Sequence, residues 1–131
     1  MAALLPRLFF IHFRDTSFVV EDAGRIVAFL VGFVSQSQPG QAYIHVVGVD
    51  PNRRREGLAR GLYERFFAAV RARGCREVHL VTAPVNRESV AFHGRLGFVP
   101  QPGDAHADGV PVTADYDGRG HARVRFVRSL A

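Results

Sequence analysis

The residues best suited to chemistry concentrate at a predicted strand-to-helix junction, Val46–Leu62. The strand leaves through Asp50-Pro51, and three consecutive arginines at positions 53–55 precede Gly57, where the helical pattern begins. The start of a helix has unpaired amide N–H groups and a partial positive charge, so it binds phosphate oxygens. Gly57 and Ala59 would let a phosphate approach the backbone, because neither has a large side chain. The alternative interpretation is a solvated arginine cluster beside an ordinary helix start.

Two common phosphate-binding motifs are absent from this junction. No Gly-Lys-Ser/Thr follows it, as a Walker loop requires, and the Gly-x-Gly-x-x-Gly pattern of dinucleotide-binding folds does not occur. The residue types alone therefore indicate phosphate binding without identifying the ligand that carries the phosphate.

The chain around the junction has the length and the pattern of one α/β domain. Its 131 residues are enough for a single domain and too few for two, and 47% of them are hydrophobic. The segment from Tyr43 to Ala83 is long enough for a crossover helix, so its first and last strands can lie parallel. A polar stretch, Gln101–Gly120, is predicted to be a long loop. The hydrophobic pattern predicts helices at Ala2–Phe13, Gly57–Arg73 and Asn86–Leu96, and strands at Phe18–Glu21, Arg25–Ser35, Tyr43–Val49, Glu77–Ala83, from Phe98 and at Ala122–Leu130.

Composition narrows the classes of protein and partner. All 17 basic residues are arginine and the formal net charge is +5, but the arginines are dispersed, which disfavours a nucleic-acid-binding protein. A single cysteine, Cys75, excludes an intramolecular disulfide framework. The spacing of the histidines predicts no metal site, and no apolar run approaches the roughly 20 residues that span a bilayer. We expect a soluble, cytoplasmic protein that binds neither nucleic acid nor membrane.

Two segments resemble the signature of one enzyme family. Arg54-x-x-Gly57-x-Ala59 is similar to the Gln/Arg-x-x-Gly-x-Gly/Ala pattern of the GCN5-related N-acetyltransferases, known as GNAT. The run Asn86–Phe98 (NRESVAFHGRLGF) is similar to the family's ending Asn-x-x-Ser/Ala-x-x-Phe/Leu-Tyr/His-x-Arg/Lys-x-Gly-Phe. One helix and one strand separate the two segments, as they do in the family. The resemblance is specific over Tyr43–Val99.

The resemblance implies both a fold and an activity. The fold would be α/β and GNAT-like, with a mixed, mainly antiparallel sheet flanked by helices and parallel only between the strands at Tyr43–Val49 and Glu77–Ala83. The activity would be that of an acetyl-CoA-dependent N-acetyltransferase, which moves an acetyl group directly to a primary amine of a small molecule or peptide. Acetyl-CoA would be the co-substrate, with no metal. The alternative is a non-catalytic module that binds or senses acyl-CoA.

The resemblance assigns acetyl-CoA to three parts of the chain. Backbone groups of Val47 and Val49 would pair with the pantetheine arm as a neighbouring strand would. Asn86 would lie near the pantetheine, or would serve only as the N-cap of its helix. The backbone amides from Arg55 through Arg60 would hold the pyrophosphate. The cofactor-binding residues of this segment would be Arg54, Arg55, Gly57, Leu58, Ala59 and Arg60.

Two histidines are candidates for moving protons. His93 occupies a position where many relatives have a tyrosine near the cofactor sulfur, so it would protonate the leaving thiolate; the alternative is a histidine packed against the helix and sheet. His45 precedes Val47 and Val49 on one strand, and strand alternation predicts that all three share a face with Tyr43. His45 would then accept the proton of the amine. A core histidine or a wall of the substrate pocket is the alternative.

The resemblance also bears on the acceptor substrate and on the oligomeric state. In the family the acceptor would be set by segments that correspond here to Leu4–Arg14, Gln36–Gln41 and Pro102–His121. The last contains four aspartates, which would suit a cationic amine or would be solvated. The strand and helix that normally begin a GNAT domain have no counterpart, so the strand at Phe18–Glu21 would have an unpaired edge. Either the chain is truncated or a partner covers that edge, and we expect a homodimer.

Overall fold

Strand pairing within each half of the chain is antiparallel. The structure, a computed structural model, describes residues 6–54 and 56–131, in two compact units: the first runs up to Arg76 and includes Leu130, and the second is formed by Glu77–Ser129 with Ala131. The first unit contains helices α1 (Arg7–His12) and α2 (Leu58–Ala72) and strands β1 (Phe18–Asp22), β2 (Arg25–Val34) and β3 (Gln41–Val49). The second contains helix α3 (Arg87–Arg95) and strands β4 (Glu77–Thr82), β5 (Val99–Pro100), β6 (Ala105–Ala107), β7 (Val110–Val112) and β8 (Val124–Ser129).

Most elements lie within a few residues of their predicted bounds, and the N-terminal helix differs most. Its described part is the six residues of α1, and Ala2–Leu5 of the predicted helix lie outside the described residues. Pro6 directly precedes α1, a position that proline tolerates because the first N–H groups of a helix have no intrahelical acceptor. The parallel pairing of β3 with β4 and the single-domain organisation stay predictions.

Strand β2 is the centre of the first unit, because it pairs with β1 along one edge and with β3 along the other. One face of β2 packs against α2: a methyl group added at Gly32 would lie 2.6 Å from the Phe66 ring, so glycine allows the close approach. The opposite face packs Phe29 and Val31 against Phe9 of α1. Helices α1 and α2 therefore cover opposite faces of this sheet.

Helix α2 has the apolar stripe that the sequence predicts. Its spacing brings one side of the helix onto β2 and β3, while the other side stays in solvent. The helix stops before Gly74, whose φ of 85° is the left-handed conformation in which glycine commonly ends a helix. The buried residues of the stripe are Leu62, Tyr63, Phe66, Phe67 and Val70.

A β-bulge interrupts β3 at His45. Val31 of β2 pairs with Val46, but the next residue, Gly32, pairs with Ile44. His45 is therefore an extra residue on β3, and the alternation of side chains between the two faces is broken there.

The bulge corrects one prediction about the candidate site. Tyr43 and His45 lie on the α1 face, where the His45 ring stacks on Phe9. Val47 and Val49 pair with residues of β2 that lie on the α2 face. The prediction that all four side chains share one face is therefore wrong, because a period of two does not continue through a bulge.

The second unit is built on β8, which pairs with β4 along one edge and with β5 along the other. Leu80 of β4 and Phe126 of β8 are cross-strand partners, and both are buried. Helix α3 packs on this face through His93, whose ring centroid lies 5.5 Å from that of Phe126. The strand predicted from Phe98 is the short β5.

The predicted loop Gln101–Gly120 contains a two-stranded hairpin, in which β6 pairs with β7. Asp108 and Gly109 connect the strands with φ angles of 50° and 79°. Asp-Gly favours such a two-residue turn because both of its positions need positive φ. The turn signal is thus present in the sequence, but strands of three residues are too short to show a hydrophobic period.

Candidate cofactor and catalytic site

The turn from β3 into α2 is held by its own hydrogen bonds. Asp50 Oδ1 accepts a hydrogen bond from the Asn52 N–H at 2.9 Å. The Arg53 N–H donates to the Asp50 carbonyl at 2.9 Å, which closes a 3-10 turn over Pro51–Arg53. Proline fixes the first φ of this turn, so the chain follows a defined course up to Arg53.

Gly57 determines how α2 begins. Its φ of 79° lies in the left-handed region, which glycine adopts without the strain that other residues incur. The Gly61 N–H donates to the Gly57 carbonyl at 3.0 Å, and this is the first bond of the helix. The amides of Leu58, Ala59 and Arg60 have no acceptor within the helix, and glycine has no side chain to cap them. They are therefore available to an anion.

The surface at Gly57 is open and basic. Within the described residues, no heavy atom outside its immediate neighbours lies within 4 Å of a Cβ built at this position. Arg54 and Arg60, which flank it in sequence, are exposed. Arg55, which the family resemblance also assigns to this site, lies outside the described residues. Open space, amide donors that have no acceptor among the described residues, and positive charge make the start of α2 suitable for a phosphate group.

Arg53, the first arginine of the cluster, is engaged by two carboxylates. Its Nε and one terminal nitrogen donate to the two Glu56 oxygens at 2.7 and 2.9 Å, and its other terminal nitrogen donates to Asp22 of β1 at 2.9 Å. The hydrogen bonds to Glu56 and Asp22 raise the pKa of Arg53, and the bond from Arg53 lowers the pKa of Glu56. The sequence alone groups Arg53 with the other arginines and does not predict this pairing. The spacing Arg-x-x-Glu was the signal that could have separated it.

The backbone of β3 faces away from β2 at the two residues assigned to the pantetheine. Asp50, directly after β3, donates its N–H to the Val27 carbonyl of β2 at 2.8 Å. In an antiparallel ladder, successive residues direct their N–H and C=O groups alternately toward the partner strand and away from it. Val49 and Val47 therefore direct both groups away from β2. This orientation is what a ligand pairing along that edge of β3 requires.

His45 combines a fixed ring plane with access to solvent. Its ring stacks on that of Phe9, with centroids 5.3 Å apart and an angle of 15° between the planes. The residue is exposed on the α1 face of the sheet. The alternative of a core histidine does not fit this exposure. An exposed ring can reach an amine or a bridging water, as the role of proton acceptor requires.

Asn86 starts α3 as a cap. Its Oδ1 accepts a hydrogen bond from the Ser89 N–H at 3.1 Å, which confirms the N-cap alternative. The second role predicted for Asn86, beside the pantetheine, stays a prediction.

His93 is buried in α3 and is hydrogen-bonded within that helix. Its Nδ1 lies 2.7 Å from the Ser89 carbonyl oxygen and 3.2 Å from the Ser89 hydroxyl. A carbonyl oxygen can only accept, so Nδ1 carries the proton of the neutral ring. Thr82 of β4 donates its hydroxyl to the Ser89 hydroxyl at 3.1 Å, which extends the network to the strand.

Burial lowers the pKa of His93. The ring centroid lies 5.5 Å from those of Phe98 and Phe126. Burial removes water from the imidazolium and lowers the pKa. The hydrogen bond to the Ser89 carbonyl favours the charged form and raises the pKa, but its effect is the smaller of the two. A pKa below the ordinary 6.5 leaves the ring neutral at pH 7. This supports the packed-histidine alternative at neutral pH and moves any role as a proton donor to lower pH.

The four aspartates of Pro102–His121 all have partners within the second unit. Two accept backbone hydrogen bonds and two form ion pairs, so each helps to hold this segment in place. Their interpretation as a recognition site for a cationic amine is correspondingly weakened. The partners are the Ala114 N–H for Asp104, Arg87 for Asp108, the Gly120 N–H for Asp115 and Arg123 for Asp117.

Residues 6–54 and 56–131 contain neither a metal-binding cluster nor a helix that could span a membrane. No three histidine, cysteine, aspartate or glutamate side chains come close enough to hold a metal ion. Nor does any helix of this part of the chain have the length and apolarity to cross a membrane.

Comparisons with known proteins agree on one family. Residues 3–98 match the family model described as "Acetyltransferase (GNAT) family". A curated L-2,4-diaminobutyric acid acetyltransferase of Virgibacillus pantothenticus is 30% identical over 77 residues, which are 59% of this chain and 48% of that protein. A mycothiol acetyltransferase of Kytococcus sedentarius is 40% identical over 75 residues, which are 57% of this chain and 25% of that protein. The chain thus spans about half the length of the first relative and a quarter of the second.

A solved structure shares the fold. The diaminobutyrate acetyltransferase of Paenibacillus lautus, solved with its substrate L-2,4-diaminobutyric acid and coenzyme A, matches with a TM-score of 0.70. Its sequence is 19% identical, and the match covers 92% of this chain and 74% of that one. The likeness shows the mixed α/β fold, with a mainly antiparallel sheet flanked by helices.

The burial of His93 predicts a pH-dependent stability. Its folded pKa lies below the unfolded value of about 6.5, so the unfolded chain takes up the proton first as the pH falls. Stability is therefore lost below pH 6.5, by at most about 1.4 kcal/mol per pH unit, until the folded pKa is passed. Denaturant unfolding across this range should show the loss in the wild type and lack it in His93→Phe. The exposed His106→Phe should keep the loss, and a wild-type slope in His93→Phe would contradict the assignment.

Proposed function

Because this chain belongs to the GNAT family of acetyltransferases, we propose that it transfers the acetyl group of acetyl-CoA directly to a primary amine of a small molecule or peptide. The observation that carries the proposal is the open start of α2, where the amides of Leu58–Arg60 follow a left-handed Gly57. A diphosphate needs several N–H donors and positive charge close together, and this helix start supplies both.

The same unit supplies the second contact for acetyl-CoA. The backbone groups of Val47 and Val49 point away from β2, so the pantetheine amides would pair with them as a strand pairs. Arg54, Arg55 and Arg60 would add positive charge for the phosphates. Asn86, already the cap of α3, would lie beside the pantetheine through its remaining amide donors.

The transfer itself would need no covalent enzyme intermediate. The amine nitrogen attacks the thioester carbonyl carbon, a C–N bond forms and the C–S bond breaks. The amine gives up a proton, and the departing thiolate of CoA gains one. Most amines are protonated at pH 7, so a proton acceptor near the amine increases the reactive fraction.

The two histidines take these proton roles in the proposal. His45, exposed and fixed in plane by Phe9, would accept the amine proton directly or through water. His93 would donate to the thiolate, with an effect confined to low pH because burial keeps its ring neutral. At neutral pH the thiolate would take its proton from water.

We expect the acceptor to be a small molecule or peptide with a primary amine. L-2,4-diaminobutyric acid, the substrate held by the solved relative, is a small primary amine, which supports an acceptor of that class. The strand β1 pairs with β2 alone among the described residues, and Leu8 and Ile11 of α1 are more than half exposed. These surfaces support a homodimer. A single buried cysteine and a sequence without a disulfide framework support a reducing, cytoplasmic location.

Substitutions of Gly57 test the cofactor site. Gly57→Ala strains a left-handed residue at a cost of about 1 kcal/mol and leaves the approach to the helix start open. Gly57→Glu adds the same strain together with a long, negatively charged side chain in the space that the diphosphate would occupy. Calorimetric titration with acetyl-CoA should show at least about tenfold weaker binding for Gly57→Glu than for Gly57→Ala. Equal affinities of the two variants for acetyl-CoA would contradict the binding of the diphosphate at the start of α2.

The pH profile of acetyl transfer tests His45. If His45 accepts the proton, the rate should rise with pH, and that rise should vanish in His45→Ala together with about 10²–10⁴-fold of the rate. Release of the CoA thiol would be followed over a panel of primary amines. His93→Phe is the comparison, since its rate should differ from that of the wild type only below neutral pH. Acetyl-CoA binding without thiol release for any amine would favour the non-catalytic module.

A further inference from the structure

The loop proposed to hold a diphosphate carries an acidic residue of its own. Glu56 directly precedes Gly57, and its side chain is 43% exposed. A carboxylate near the start of a helix is attracted to the same N–H groups and the same dipole that attract a phosphate. Glu56 is therefore both a repulsive charge and a potential intramolecular competitor for an anion at this site.

In the structure the Glu56 carboxylate is bound by Arg53, and no side chain caps the start of α2 among the described residues. Both Glu56 oxygens accept hydrogen bonds from the Arg53 guanidinium, in the two-pronged arrangement that makes arginine–carboxylate pairs strong. The remaining terminal nitrogen of Arg53 is anchored on Asp22, 31 residues earlier in the chain. Glu56 is thus tied to the end of the β1–β2 hairpin.

The surroundings of Arg53 favour its contact with Glu56. The 3-10 turn over Pro51–Arg53 fixes its backbone, since its N–H is bonded to the Asp50 carbonyl. Its side chain is 29% exposed, so part of its stem is packed. With three of its donors on carboxylates, Arg53 has little capacity left for a phosphate.

We propose that Arg53 is a positioning residue that holds Glu56 away from the amides of Leu58–Arg60 and so keeps the anion site at α2 open. The inference rests on the proposed function for the identity of the anion, acetyl-CoA. The contact between Arg53 and Glu56 does not depend on that identity, because it joins two residues of this chain. When Arg53 cannot bind it, the Glu56 carboxylate would turn to the helix start and compete with the diphosphate.

A double-mutant cycle separates this role from ordinary support of the loop. Arg53→Gln keeps the length of the stem and removes the charge, and it should weaken acetyl-CoA binding by about two- to fivefold, the range of an exposed charge at a helix end. Glu56→Gln alone should bind as well as the wild type or better. The double variant Arg53→Gln/Glu56→Gln should recover the wild-type affinity, because the competitor is then uncharged.

Arg73 provides the matched control for the charge change. It lies just beyond the opposite end of the same helix and pairs with Asp15 at 2.6 Å, so Arg73→Gln removes the same single positive charge and breaks one ion pair, where Arg53→Gln breaks two. Acetyl-CoA affinity should be unchanged in Arg73→Gln. A comparable loss in Arg73→Gln would make the Arg53 effect one of net charge and would overturn the proposal.

A second measurement needs no cofactor. The ¹⁵N–¹H shifts of Leu58, Ala59 and Arg60 in the ligand-free protein at pH 7 should move in Arg53→Gln and return toward wild-type values in the double variant. Shifts that stay displaced in the double variant, or that never move, would overturn the proposal. If the shifts change as expected but neither the wild type nor any variant binds acetyl-CoA, the result supports the binding of Glu56 by Arg53 and contradicts the proposed function.

Discussion

The amides at the start of α2 can hold an anion only if the protein leaves them without a partner of its own, and the first unit is arranged around that constraint. Gly57 turns the chain into the helix in a left-handed conformation and offers no capping side chain. The 3-10 turn before it is closed by Asp50, which caps its own turn and not the helix. The nearest carboxylate in sequence, that of Glu56, is bound by Arg53. An ordinary helix would satisfy these donors with a serine or aspartate cap, and the sequence here avoids one.

The two proton-handling candidates illustrate how surroundings decide what a histidine can do. His45 protrudes at a bulge, where its ring rests on Phe9 and stays in solvent. His93 donates a hydrogen bond from Nδ1 to the Ser89 carbonyl and is enclosed by aromatic rings, and this burial lowers its pKa and favours the neutral form. The same residue type is therefore suited to proton uptake at one position and to packing at the other. This contrast shifts the weight of the proposed chemistry from a pair of histidines to His45 and to the positioning of the amine.

Much of this arrangement could be predicted from the sequence, and the exceptions have physical causes. The period of α2, the left-handed Gly74 and the Asn86 cap depend on local preferences, which a single sequence records. The bulge at His45 could not be predicted, because it arises from how β2 and β3 pair and leaves no local signal. The pairing of Arg53 with Asp22 joins residues 31 positions apart and needs the folded hairpin to bring them together. The lowered pKa of His93 likewise depends on neighbours from β8, which the motif does not contain.

A crystal structure of this protein with CoA is the most direct test of the account. The account predicts diphosphate oxygens within hydrogen-bonding distance, about 2.7–3.2 Å, of the amide nitrogens of Leu58–Arg60, with the Arg53–Glu56 pair intact beside them. It also predicts pantetheine amides paired with the backbone of Val47 and Val49. A diphosphate bound elsewhere, or a Glu56 carboxylate on the helix start while CoA is bound, would contradict it.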